Sequence, residues 1–133
     1  MLKYAQRFYK RQFINRSVVT SKTVTKFNDE IIKYVESGFL NIKGPPSVNY
    51  IAARLNISPG YLTDILKQES GKTALEHIHI YLISEAKHLL KGENQSISEI
   101  AYALGFENLS YFSRLFKKEV GISPNVFKKQ LLN

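Results

Sequence analysis

The sequence predicts an all-α fold of about seven helices, and three observations carry that expectation. From Phe27 onward, apolar residues recur at i, i+3, i+4 and i+7 through most of the chain. Good N-cap residues stand in front of those stripes, and Gly or Pro closes them. One pattern of apolar and small residues also occurs twice, which is the mark of an internal repeat.

The segment Met1 to about Arg16 has weak helical spacing through Leu2, Ala5, Phe8 or Tyr9, and Gln12 or Phe13. Ser17 to Lys26 mixes β-branched and polar residues with nothing to pack against, and is expected to be an extended linker. Residues 1–26 are therefore set apart as a basic linker or arm, and residues 27–133 as the core domain. Asn28 is placed to cap the first core helix, whose apolar face uses Ile31, Val35 and Phe39, with Asp29 and Glu30 near its positive end. Gly44-Pro45-Pro46 ends that helical stretch.

Ser47 restarts the helical pattern, with Val48, Ile51, Ala52 and Leu55 on one narrow stripe. Ser58 then caps a helix that has Pro59 at its first position, where the missing N–H costs nothing. Its buried side is Leu62, Ile65 and Leu66, and it ends near Gly71. Thr73 and Glu76 have capping-box spacing and open the longest element. The stripe of that helix is Leu75, Ile78, His79, Leu82, Ala86, Leu89 and Leu90, closing at Gly92. About 19 residues at 1.5 Å each would span roughly 28 Å.

The second half repeats the first. Ile97, Ile100, Ala101 and Leu104 follow Val48, Ile51, Ala52 and Leu55 at an offset of 49, and Ser96 with Glu99 again has capping-box spacing. After one extra turn residue the offset is 50, so Tyr111-Phe112-Ser113 matches Tyr61-Leu62-Thr63 and Phe116-Lys117 matches Leu66-Lys67. Ser123-Pro124 begins a last helix through about Leu132. Each copy is a short helix, a tight turn and a second amphipathic helix, the helix-turn-helix plan.

By itself the repeat is equally consistent with two helical hairpins in an ordinary core. The outward faces of the second helices tip the balance. Gly60, Thr63, Asp64 and Lys67 lie opposite the apolar side of the first, and Leu109, Ser110, Ser113, Arg114 and Lys117 opposite that of the second. Hydroxyl residues with Arg and Lys suit base edges and phosphates, and Lys118 extends the basic run toward the backbone. If the long helix holds the two faces about 34 Å apart, they can enter successive major grooves of duplex DNA.

Charge and composition narrow the classes further. The net charge is +8, but seven of the 19 bases and none of the 11 acids fall in residues 1–26, so the remaining chain has 12 bases against 11 acids. Core binding to a polyanion must then depend on where charges sit rather than on their sum. The absence of cysteine excludes disulfides, thiolate nucleophiles and thiolate metal sites. His77 and His79 point to different sides of one helix and His88 lies far along it, so neither a metal site, a cofactor nor an enzyme activity is expected. No apolar run approaches the roughly 18 residues of a membrane span, and a cytoplasmic protein is expected.

The runs IAARLNISPGYLTDILKQESGKTALEHIHIYLISEAKHLL and SISEIAYALGFENLSYFSRLFKKEVGISPNVFKK resemble the DNA-binding region of AraC/XylS-type transcriptional regulators. The likeness covers about Phe27 to Asn133. It implies sequence-specific binding to double-stranded DNA for transcription regulation, by two helix-turn-helix motifs joined by a long helix. By motif position it makes Gly60, Thr63 and Asp64 base-facing in the first motif, and Leu109, Ser110, Ser113 and Arg114 in the second. It further implies a bacterial protein, RNA polymerase as a partner if the protein activates, and an effector or dimerisation domain missing from this chain. Asp64 stands where the family often has Arg or another polar donor, and Gly60 has no side chain, so the first motif looks the weaker reader. The rival class is a protein-interaction adaptor, or a binder of anionic membrane that works through the aromatic, basic arm.

Overall fold

The computed structural model describes residues 22–92 and 94–132, and within them all regular structure is helical. The order is α1 (Lys22–Glu36), α2 (Phe39–Lys43), α3 (Val48–Arg54), α4 (Pro59–Ser70), α5 (Ala74–Leu90), α6 (Ile97–Ala103), α7 (Leu109–Val120) and α8 (Pro124–Leu132). Seven of these are the expected helices; α2 is an additional short one. It forms because Gly38, at φ 80°, turns the chain after α1, and Leu40 is then buried in the core.

Cap chemistry fixes most of the boundaries. The Ser47 and Ser58 hydroxyls accept from the Tyr50 and Tyr61 amides at 3.0 and 3.1 Å, and Asn108 accepts from the Tyr111 amide at 2.9 Å. Both capping boxes are complete: Thr73 with Glu76 opens α5, and Ser96 with Glu99 opens α6. Each satisfies two backbone N–H groups that would otherwise lack partners at a helix start. α4 and α7 both end on a left-handed glycine, Gly71 and Gly121, whose amides return to the Lys67 and Lys117 carbonyls at 2.8 Å.

The repeat seen in sequence is a repeat in space. α3 and α6 have seven residues each, and α4 and α7 have twelve each. Both turns also close alike. The Ile57 and Phe106 amides donate to the Ala52 and Ala101 carbonyls at 3.0 Å, with Asn56 (φ 62°) and Gly105 (φ 90°) at the left-handed position between. That is the Schellman closure, and it swings the second helix of each unit across the first.

The core lies between the two units and α5, which packs against α1, α4, α6 and α7. Phe27, Ile31, Leu62, Leu66, Ile78, Leu82, Phe112 and Phe116 are among its fully or almost fully buried large side chains. Each such Phe or Leu contributes roughly 1.5–3 kcal/mol relative to exposure. α8 closes the second unit, with Phe127 edge-on to Phe116 at 5.5 Å and the Lys128 ammonium donating to the Gln95 carbonyl at 2.8 Å.

Three local expectations are corrected. α1 already runs from Lys22, so Lys22–Lys26 are helical rather than extended and Asn28 sits inside the helix. The cause is tertiary: Phe27 is fully buried, and the Val24 amide in the first turn donates to the Glu69 carboxylate of α4 at 3.2 Å. α5 is 17 residues long, not 19. Its buried stripe begins at Ala74, leaving Leu75 53% exposed, and includes Ile83. The expectations for residues 1–21 lie outside the described residues.

Candidate nucleic-acid interface

α4 and α7 are the second helices of the two units, and each is split lengthwise. On α7 the side toward the core carries Phe112, Leu115 and Phe116, all buried. Ser110, Arg114 and Lys117, at i, i+4 and i+7, share the opposite face and are exposed. On α4 the buried pair is Leu62 and Leu66, and the matching exposed face is Gly60, Asp64 and Lys67. Thr63 and Ser113 sit half-buried on one flank of these faces. Leu109 is also half-buried and packs against the core, so little of its side chain faces outward.

The structure thus brings the expected residues together as two clusters, one per helix: Gly60, Thr63, Asp64 and Lys67, and Ser110, Ser113, Arg114 and Lys117. Their charges differ. The first face has one acid and one base, while the second has two bases and no acid. Among the described residues Asp64, Lys67, Arg114 and Lys117 take part in no ion pair; the pairs present are Arg54 and Lys33 to Glu30, at 3.1 and 3.5 Å. Asp64 is therefore not held by Arg54, which hydrogen-bonds the buried Glu30 instead.

Lys118 sits apart from the main face of α7. Its charge acts on Glu76 and His79 at the start of α5 and helps lower the pKa of each. For Glu76 the larger cause is its hydrogen bonding to Thr73, and for His79 it is burial. Lys118 is exposed, so it can still reach a phosphate, but on the edge of the helix that borders α5.

Two tyrosines that could either stack on bases or pack between helices stand out in the structure. Tyr61 and Tyr111, which match in the repeat, are 57% and 42% exposed at the same register of α4 and α7. The Tyr111 hydroxyl lies 3.4 Å from His79 Nε2. The signal available in the sequence was their shared position beside Leu62 and Phe112, which already fill the buried side. His77 also has local partners: its Nε2 is 2.8 Å from the Ser70 hydroxyl, and its ring meets Phe27 edge-on at 5.9 Å.

No helix among the described residues is long and apolar enough to cross a membrane. A family model described as a helix-turn-helix domain matches residues 51–130, from within α3 to within α8. The HTH-type transcriptional activator RhaR of Cronobacter sakazakii is 31% identical over 86 residues, covering 65% of this chain and 30% of that protein. The chain therefore spans less than a third of that relative's length. Among solved structures, the C-terminal domain of AraT, a response regulator from Geobacillus stearothermophilus, superposes with a TM-score of 0.64 at 30% identity, covering 78% of this chain and 84% of that one. The DNA-binding domain of the global transcriptional factor AdpA, solved with a target DNA, has the same fold at a TM-score of 0.65 and 20% identity, covering 78% of this chain and 90% of that one. The duplicated unit, its register and these likenesses agree, and the chain belongs to the AraC-type helix-turn-helix family of transcriptional regulators.

Proposed function

We propose that this chain reads double-stranded DNA for a transcription regulator, placing α4 and α7 in successive major grooves. The observation that carries the proposal is the face of α7: Ser110, Arg114 and Lys117 stand exposed on one line, and Phe112, Leu115 and Phe116 lock the helix to the core behind them. A guanidinium between a hydroxyl and an ammonium can pair with guanine while its neighbours reach base edges or phosphate. Lys67 and Thr63 do the corresponding work on α4, with Gly60 leaving room for close approach of the duplex and Asp64 opposing the polyanion unless it accepts from a cytosine amine.

Recognition of this kind is non-covalent and involves no chemical step. The site of action is the bacterial cytoplasm, with RNA polymerase as a further partner if the regulator activates. The short span of the chain relative to RhaR supports an effector or dimerisation domain as part of the regulator.

The test is a titration of labelled duplex at several salt concentrations, beside sedimentation with vesicles of anionic lipid. Duplex binding whose affinity falls steeply with salt supports the proposal. Vesicle binding with duplex ignored would overturn it in favour of a membrane role for the basic arm.

A further inference from the structure

The segment that leads into the first helix-turn-helix unit meets the second unit at a place away from α5. Gly44, in the link between α2 and α3, lies against Gly105, in the turn of the second unit. A Cβ built on Gly105 would stand 2.9 Å from the Gly44 Cα and 3.0 Å from the Pro45 Cδ. Carbon atoms in ordinary contact are about 3.5–4.0 Å apart, so only a residue without a Cβ fits this approach.

The link is itself held in place. The Tyr34 hydroxyl donates to the Gly44 carbonyl at 2.7 Å, and its ring meets Phe39 of α2 and Tyr50 of α3 edge-on, both at 5.3 Å. One side chain thus ties α1, α2 and α3 to the residue that touches the second unit, and α2 also packs against α6. Two bodies joined only through one helix can rotate about it. A second contact off that axis removes the rotation.

We propose that the Gly44–Gly105 contact, braced by Tyr34, is a positioning site that fixes the distance and rotation between α4 and α7. Its bracing residues precede the segment matched by the family model. The consequence for DNA, a strict preference for one spacing between half-sites, rests on the DNA-binding reading; the distance itself does not.

The chain has no cysteine, so Gln68→Cys with Glu119→Cys gives a clean pair of spin-label sites on α4 and α7. Pulsed electron resonance on the labelled full chain should give a narrow distance distribution. Gly105→Ala should shift and broaden it. Gly71→Ala and Gly121→Ala are the controls, because they impose the same left-handed strain (φ +77° and +100°) with no atom within 4 Å of the added carbon. They should keep the parent distribution. A folded Gly105→Ala chain with the parent distribution would overturn the proposal. Should Gly105→Ala fail to fold, Tyr34→Phe decides: broadening at unchanged melting cooperativity supports the site, and an unchanged distribution rejects it. On duplexes with the half-sites moved apart base pair by base pair, the altered chain should lose its spacing preference. A parent that binds no duplex would reject the DNA-binding reading alone, and the distance measurement would still judge the joint.

Discussion

Asp64 and Arg114 occupy the same register of α4 and α7, 50 positions apart, at the centre of each exposed face. One unit therefore presents a carboxylate where the other presents a guanidinium. On the proposed function this single difference should make the second unit the stronger reader of a polyanion, and it sets the first two predictions.

Arg114→Ala should weaken operator binding by about 1–3 kcal/mol and relax the preference at one or two base pairs. Its side chain is exposed, so the melting temperature should hold. Competition with a panel of single-base operator variants checks this. Equal weakening on every sequence would make Arg114 a phosphate contact instead.

Asp64→Asn should strengthen binding to random duplex several-fold, because a like charge facing the phosphates is removed. On the operator it should do the same, or relax one cytosine position. The melt should not change, since among the described residues Asp64 holds no ion pair and Arg54 is committed to Glu30. A destabilised variant with unaltered affinity would contradict this account of the residue.

Lys117 and Lys118 should separate although they are neighbours. Lys117→Ala should lower the salt slope of binding by about one unit, the loss of one phosphate contact. Lys118→Ala should lower it by less, because Lys118 lies on the α5 edge where its charge is felt by Glu76 and His79. Equal slopes for the two variants would place both on the same strand of phosphates.

The Thr73–Glu76 capping box should make stability depend on pH in acid. Hydrogen bonds from Thr73, with Lys118 and Lys72 adding to them, hold the Glu76 carboxyl below its ordinary value of 4.5. A lowered folded-state pKa contributes stability that is present above 4.5 and is lost as pH falls through the folded value. Gln also completes a capping box, so Glu76→Gln should fold and show a smaller drop in melting temperature between about pH 6 and about pH 3. Parallel melting curves for the two proteins would remove Glu76 from the acid transition.

Helix starts were legible in the sequence wherever the decisive chemistry is local. Ser47, Ser58, Thr73 with Glu76, and Ser96 with Glu99 all cap as their spacing predicts, because a cap needs a partner only two or three residues away. The two faces of α4 and α7 were legible for the same reason, being set by helical period alone. What escaped depends on distant partners. Lys22–Lys26 are helical because Phe27 is buried and Glu69 meets the Val24 amide from 45 residues away. Leu75 faces outward because Ala74 and Ile78 take the buried positions of that turn. The close approach of Gly44 to Gly105 has no periodic signature at all, since each glycine alone reads only as a turn.

Whether α4 and α7 read two major grooves at once is answered by selecting binding sites from random duplexes with the full chain. A bipartite consensus is expected, its halves about one helical turn apart and its more strictly specified half lost or blurred in Arg114→Ala. A single undivided half-site that persists in Arg114→Ala, or no enrichment over random sequence, would contradict it.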